Sequence, residues 1–365
     1  MKNIIIAILI SIAILIGGEL WLHHNLFRYA SYSNSESIDH QIEARDASDK
    51  WNVLFVGDSE THWGVDPREI DAAFARHGMN VTSFNHAFDG FGASWWARLL
   101  PKIFEAPSLK NVKVVVIGIQ MVDGYRVVNA TGEDCGALQK PVLTSPFAID
   151  IGADALCRKP AWDAQLGKML FGNLWFVRYS STIHSLLMPK FMSNTGMLRF
   201  NSSKDGPPYR GFEPHRSIAE YRDAYDQEFT RWKAQYDPAK HFVPLPPQVW
   251  TDLTGDSGFF DKLLSIVHES GRELVLFALP TNPVVIDTFH RREDYQRNST
   301  LLSEWASRRG VIFLDFGIQD REDGDIFFSD MRHLSGYGAD IFSQQLGQAL
   351  ASHQALRDYL NNEKL

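Results

Sequence analysis

The sequence predicts an α/β protein built on a doubly wound, parallel, five-stranded sheet. Short apolar runs alternate with longer amphipathic stretches, which is typical of strand–helix repeats. The runs are apolar throughout instead of alternating with polar residues, as expected for strands that helices cover on both faces. In such a sheet, reactive groups are expected at the carboxyl ends of the strands.

The first part of the chain supplies three strands and two helices. The predicted strands are 53–56, 81–84 and 112–117. Asp66 and Pro67 form an N-cap followed by a proline at the first helical position, and Gly78 ends that helix. A second helix is expected over 94–105, disturbed at Pro101.

The strand–helix alternation resumes near the other end of the chain. The predicted elements are helix 259–269, strand 274–277, helix 294–309, strand 311–314 and helix 337–353. Between the two parts, residues 132–258 are expected to form an insertion or cap of helices and loops. Aromatic side chains recur there at helical spacing, namely Tyr221, Tyr225, Phe229, Trp232 and Tyr236. We interpret this stripe as core packing, and a glycan-stacking groove is the alternative.

Composition and the N-terminal run predict the location of the protein. The chain has 365 residues and a formal net charge of −8, with no basic stripe, so we expect no nucleic-acid partner. The apolar run that begins at Ile4 and ends near Trp21 favours an uncleaved transmembrane helix over a cleaved signal. The predicted organisation is anchor 1–23, tether 24–50, core 51–131, insertion 132–258 and core 259–365. The domain formed by the core and the insertion would then be periplasmic or extracellular.

The two cysteines, Cys135 and Cys157, lie in the insertion. In an exported chain an isolated pair of this kind usually forms a disulfide, which we predict here. Two unrelated buried thiols are the alternative. No Cys-x-x-Cys or His/Cys cluster occurs, so we expect no metal.

Two short motifs carry the chemistry. Gly57-Asp58-Ser59 directly follows the first strand, and Asp330-x-x-His333 lies between the last strand and the last helix. A serine needs a base to become nucleophilic, and an imidazole needs a carboxylate to fix its tautomer. Ser59, His333 and Asp330 are therefore the candidate catalytic residues.

Together these motifs resemble the SGNH, or GDSL-like, hydrolase superfamily, whose fold is a flavodoxin-like sheet. The block Asn85-His86-Ala87-Phe88-Asp89-Gly90 is similar to the family's second block, which makes the Gly90 amide an oxyanion donor with the Ser59 amide. The third block departs from the family pattern, since Gly118-Ile119-Gln120-Met121 replaces Gly-x-Asn-Asp. Gln120 is the expected substitute donor, and a site that uses only the Ser59 and Gly90 amides is the alternative.

The N-terminal anchor, Gly-Val-Asp-Pro at 64–67 and Phe-Ser-Asp-Met-Arg-His-Leu-Ser at 328–335 narrow the resemblance to a membrane-bound branch, DltD-like and alginate-O-acetylation-like. This resemblance implies transfer of an acyl group through Ser59 to a glycan hydroxyl, beside a multi-spanning membrane O-acyltransferase, without a cofactor. Trp63 and Asp123 are candidate substrate contacts. The alternatives are a carbohydrate esterase with the same triad and a non-catalytic assembly partner.

Overall fold

We describe a computed structural model of the chain, which covers residues 10–22, 51–87, 93–104, 109–122, 215–235 and 247–361. The chain divides into two compact units. The first comprises Met1–His40 and Gly132–Lys204, and the second Gln41–Thr131 and Asp205–Leu365. The predicted residues that lie outside the described ranges are Gly90, Asp123, Cys135, Cys157, Phe88, Asp89 and Tyr236.

The described part of the first unit is a helix at residues 10–22, within the predicted anchor. None of the helices in the described ranges combines the length and the apolar character needed to cross a bilayer. The transmembrane anchor and the disulfide therefore stay predictions.

The second unit contains a parallel sheet of five strands in the order β2-β1-β3-β4-β5. The strands are β1 (Val53–Val56), β2 (Ser83–Asn85), β3 (Val114–Ile119), β4 (Glu273–Ala278) and β5 (Ile312–Asp315). All four neighbouring pairs are parallel, which confirms the predicted α/β class and the five-stranded parallel sheet. In sheets with this order, β2 is added on one side of β1 and the later strands are added on the other side, beginning with β3. A crevice opens between β1 and β3, where the direction of strand addition changes.

The predicted helices of this unit are present, with shifts of a few residues at their ends, and α1, α5, α7, α9 and α11 are additional helices that the sequence analysis did not predict. They are α1 (Ser59–Gly64), α2 (Pro67–Arg76), α3 (Ala93–Ile103), α4 (Arg222–Gln235), α5 (Pro247–Thr254), α6 (Phe259–Glu269), α7 (Pro283–Phe289), α8 (Arg292–Arg309), α9 (Gly324–Phe327), α10 (Gly336–Ser352) and α11 (Gln354–Asn361). Gly310 caps α8 in the left-handed conformation, as its position in the sequence indicates.

Helices cover both faces of the sheet. On one face α2 and α10 pack together over Phe55, Val116 and Phe277. On the other face α3 and α6 pack together and contact β3 and β4. Because both faces are covered, β1 and β3 are buried along their whole length, which explains their uninterrupted apolar sequences.

Strand β2 is displaced from its predicted position at 81–84. The backbone pairs only Ser83, Phe84 and Asn85 with β1. The shift places Asn85 at the carboxyl end of β2, where it faces α1 and takes part in the site described below.

Three residues of the aromatic stripe in the interrupting segment pack into the core of the second unit. Tyr225 is buried, and Tyr221 and Phe229 pack against the same cluster. The Phe229 ring also lies 6.0 Å from Phe289, edge to face. The described part of the stripe therefore has the core role that the sequence favours.

Candidate active site

Ser59 is the first residue of the short helix α1, at the carboxyl end of β1, an interior strand that lies between β2 and β3. Asp58 is the N-cap, and its Oδ1 accepts a hydrogen bond of 3.0 Å from the Glu60 amide. No acceptor is recorded for the Ser59 amide among the described residues. The arrangement presents the Ser59 side chain, which is 8% exposed, at the crevice edge of the sheet.

Two glycines let α1 lie close to the strands. A Cβ atom at Gly57 or at Gly118 would stand 2.1 Å from the Thr61 hydroxyl oxygen, far inside contact distance. The Thr61 side chain therefore occupies the space that these two residues leave open at the ends of β1 and β3. Any larger residue at Gly57 or Gly118 would displace α1, and the serine with it.

Asn85 holds the other end of α1. Its side-chain amide donates to the carbonyl oxygens of Thr61, His62 and Val65 at 3.0, 3.1 and 2.8 Å. Its Oδ1 accepts from the Ala87 amide at 3.1 Å. Carbonyl groups at the end of a buried helix need donors, because the helix itself supplies none. Asn85 is thus a positioning residue for the helix that carries Ser59.

Asp330 and His333 lie on a tight loop that the backbone closes. Phe328 and Leu334 form an antiparallel bridge, and the Ser329 amide donates to the His333 carbonyl oxygen at 2.8 Å. Inside the loop, Asp330 Oδ1 accepts from the amides of Arg332 and His333 at 2.7 and 2.8 Å. The carboxylate therefore organises the loop as well as facing the imidazole.

The three predicted catalytic residues form one hydrogen-bonded chain. His333 Nδ1 lies 2.7 Å from Asp330 Oδ2, and His333 Nε2 lies 2.8 Å from Ser59 Oγ. An ionised carboxylate only accepts, so the imidazole proton belongs on Nδ1 and Nε2 accepts from the serine hydroxyl. This is the tautomer that allows His333 to take the Ser59 proton.

Asp330 is held in its ionised form. Desolvation by the surrounding protein would raise the pKa of its carboxyl group. The adjacent His333 and the hydrogen bonds from His333 and the two loop amides outweigh that effect, and they hold the pKa of Asp330 well below its usual range. Tyr225 lies nearby, and burial together with the Asp330 charge raises the pKa of Tyr225 to about 12, so this phenol stays neutral.

Gln120 follows β3 and joins the two carboxylates on either side of Ser59. Its Nε2 lies 2.5 Å from Asp58 Oδ2 and 2.5 Å from Glu60 Oε1. Its Oε1 is buried and has no hydrogen-bond partner among the described residues. Both amide hydrogens face carboxylates here, so donation to an oxyanion would require one of them to move. The oxyanion roles of Gln120 and Gly90 stay predictions.

Trp63 contacts the imidazole of His333. The centroids of the two rings are 4.0 Å apart, with 48° between their planes. A second imidazole, that of His215, stacks on Trp63 at 3.8 Å and 27°. Trp63 does not contribute to the cavity described next, and the substrate roles of Trp63 and Asp123 stay predictions.

A shallow cavity, in part open to solvent, lies beside the hydrogen-bonded chain at the carboxyl ends of β3 and β4. Its apolar lining consists of Met121, Val122, Pro280, Val285 and Met331, and its polar lining of Glu60, Gln120, Thr281, Asn282, His290 and Arg332. Glu60 adjoins Ser59 in sequence, and Met331 and Arg332 lie between Asp330 and His333. Ser59, Asp330 and His333 do not line the cavity themselves, so it adjoins the candidate catalytic residues through their sequence neighbours.

Comparison with known proteins identifies no relative of this chain, so the inference of an active site depends on its geometry. No protein-family model matches the sequence, and a search of curated proteins gives no match.

The sequence motifs located the central residues and missed their supports. Ser59, Asp330 and His333 came from two recognisable motifs. Asn85 lies in a quoted block, but nothing in the sequence indicates that its amide would reach three carbonyl groups. His215 carries no local signal, because it lies in an aperiodic segment far from either motif.

Proposed function

We propose that this chain is a serine acyltransferase of the SGNH type that modifies a cell-envelope or exported polysaccharide at the membrane. The observation that carries the proposal is the chain of hydrogen bonds from Asp330 through His333 to Ser59. It lies at the carboxyl edge of a parallel sheet, where such sheets commonly bind ligands.

The mechanism follows from the tautomer of His333. Nε2 takes the hydroxyl proton while Ser59 Oγ attacks the carbonyl carbon of an ester or thioester. The resulting imidazolium is stabilised by the carboxylate of Asp330. Its proton then goes to the leaving oxygen or sulfur as the bond to the acyl carbon breaks. A glycan hydroxyl, deprotonated by the same nitrogen, then attacks the acyl carbon, and the proton passes from Nε2 to Ser59 Oγ as the bond between Oγ and the acyl carbon breaks.

The Ser59 amide, at the N-terminus of α1, is available to the oxyanion of each tetrahedral intermediate. Gly90 is the proposed second donor. The predicted anchor and tether would hold the domain beside a membrane O-acyltransferase that supplies the acyl group. Hydrolysis by the same residues differs only in the final acceptor, which is water.

The test is to detect the acyl-enzyme and follow its fate. The full chain, purified in detergent, is mixed with p-nitrophenyl acetate, and intact mass and peptide mapping locate the adduct. We expect acetylation of Ser59, absent in Ser59→Ala and His333→Ala. Adduct decay is then compared with and without neutral and acidic oligosaccharides.

Faster decay with a matching acetylated oligosaccharide supports transfer. If the adduct decays at the same rate with and without oligosaccharide and free acetate is the only product, the activity is that of an esterase. Absence of any adduct on Ser59, in a wild-type chain that unfolds cooperatively, would leave a non-catalytic role.

A further inference from the structure

We propose that Trp63 and His215 are positioning residues that hold the imidazole of His333 at Ser59. This inference rests on the proposed function, because it concerns the same nucleophile and base. Neither side chain has to touch the substrate for this role.

The first step concerns the imidazole of His333, which is bound at both nitrogens. Hydrogen bonds to Asp330 and Ser59 fix its two ends. They leave the ring plane free to tilt about the line that joins the two nitrogens. The angle between the Nε2 lone pair and the Ser59 hydroxyl changes with that tilt. The indole of Trp63, 4.0 Å from the imidazole centroid, limits the motion by contact with the ring.

The second step concerns the helix on which Trp63 lies. Trp63 follows Ser59 by four residues in α1, so the two side chains project from the same face one turn apart. Helix α1 therefore contacts His333 at two points, through a hydroxyl and through a flat ring. The relative position of nucleophile and base is fixed by both contacts.

The third step explains why His215 is needed. Its imidazole stacks on Trp63 at 3.8 Å, and its backbone is bound to the loop that carries His333. The Gly336 amide donates to the His215 carbonyl oxygen at 2.6 Å, and the Ile218 amide donates to the Phe328 carbonyl oxygen at 2.8 Å. Residues 215–218 are thus fixed to both ends of the loop, and the imidazole of His215, which belongs to this fixed segment, packs against the indole.

The contact also favours the reacting state. After proton transfer His333 carries a positive charge, and the π face of an indole attracts a cation within about 6 Å of its centre. The indole–imidazole contact is therefore stronger after proton transfer than before it. An interaction that strengthens along the reaction accelerates it.

The experiment compares aromatic with aliphatic replacements in the full chain. The variants are Trp63→Phe, Trp63→Leu, His215→Phe and His215→Leu, with His268→Leu, at a half-exposed position on α6, as the matched control. The rate of Ser59 labelling by a fluorophosphonate is measured together with kcat and KM for p-nitrophenyl acetate. We expect both leucine variants to lower the labelling rate and kcat by roughly 10- to 100-fold at unchanged KM, because small misplacements of reacting groups have effects of this size. The phenylalanine variants should keep most of the activity.

The opposite results are equally clear. Wild-type labelling rates in both leucine variants would overturn the inference, and so would a raised KM at unchanged kcat, which indicates that substrate stacks on Trp63. If a leucine variant does not fold, the phenylalanine variants decide, since loss of activity with a ring still present contradicts positioning by stacking. Failure of wild-type Ser59 to react at all would overturn the proposed function and this inference with it. If wild-type Ser59 reacts and the leucine variants react at the same rate, the inference is overturned and the proposed function stands.

Discussion

At the scale of single residues, the two oxygens of Asp330 have separate roles. Oδ1 binds two loop amides, and Oδ2 binds the imidazole. In Asp330→Asn the remaining oxygen can still accept from the amides, while the new NH₂ group faces Nδ1 and forces the proton onto Nε2. We expect turnover of p-nitrophenyl acetate to fall by about 10³- to 10⁴-fold, as for the same exchange in a serine protease, with little change in Tm.

The matched control for this variant is Asp325→Asn. Asp325 is an exposed carboxylate in the same part of the chain that pairs with Arg222 and does not contact His333. We expect wild-type turnover in the control. A near-wild-type rate in Asp330→Asn would remove this carboxylate from the catalytic mechanism, and a large loss of Tm would indicate that loop closure is its main role.

Gln120 offers a second residue-scale prediction, on which sequence and structure give different expectations. As an oxyanion donor its loss should slow acylation about 100- to 1,000-fold without loss of stability. In the structure its amide separates the carboxylates of Asp58 and Glu60. We therefore expect Gln120→Ala to slow acylation less than 10-fold and to lower the free energy of unfolding by about 1–3 kcal/mol, since two carboxylates lose a donor.

Urea unfolding and the burst of p-nitrophenol in a rapid-mixing experiment measure these two quantities. Gln120→Glu is the companion variant, because it keeps the length of the side chain and adds a third negative charge. It should be less stable than Gln120→Ala. A 100-fold slower burst in Gln120→Ala at unchanged stability would support the oxyanion role instead.

At the scale of elements, the seat of α1 on β1 and β3 can be tested by a mutant cycle. Gly118→Ala should destabilise the protein by about 1–3 kcal/mol, because the new methyl group overlaps the Thr61 hydroxyl. Thr61→Ala removes that hydroxyl, so the double variant should recover part of the loss. Thr61→Val keeps the volume and should give no recovery.

Thermal and urea unfolding of the single and double variants measure the coupling between the two positions. Additive effects of Gly118→Ala and Thr61→Ala would contradict the close approach of α1 to β3. The same variants should slow labelling of Ser59, since the helix that carries it shifts.

The packing of α6 against α8 has a pH dependence of its own. Asp261 of α6 binds Arg309 and Trp305 of α8, and chiefly the hydrogen bond from Arg309 lowers the pKa of Asp261 to about 2. A carboxyl group with a lowered pKa stabilises the fold above its unfolded-state pKa, near 4, and that contribution is lost as the pH falls toward 2.

We expect the free energy of unfolding to decrease between pH 4 and pH 2, and less steeply in Asp261→Asn, with pH-dependent urea unfolding as the measurement. Asp256→Asn is the control, because Asp256 also pairs with Arg309 but is 93% exposed. Exposed pairs contribute little, so its pH slope should match that of the wild type. Equal slopes in all three proteins would contradict a role for Asp261.

At the scale of the whole molecule, local sequence patterns were sufficient for the sheet and the larger helices. Strands β1 and β3 are recognisable in the sequence as apolar runs, and α6 begins and ends where its periodicity predicts. Helix α1 was not predicted, because six residues without an apolar stripe depend on Asn85 and on two glycines for their conformation. The stacking of His215 on Trp63 was also missed, because His215 is distant in sequence from every residue that it supports.

The separation of the two reacting groups along the chain has a consequence for biosynthesis. Ser59 and His333 are 274 positions apart, so the ribosome makes the proposed nucleophile long before the proposed base. The last large helix then has to dock: the Ser343 hydroxyl on α10 accepts from the Asp66 amide and donates to the Gly64 carbonyl oxygen, at the end of α1. Under the proposed mechanism, a nascent or truncated chain would carry an ordinary, unreactive serine, and Ser59 would become reactive only after the segment that carries His333 has been made and has folded.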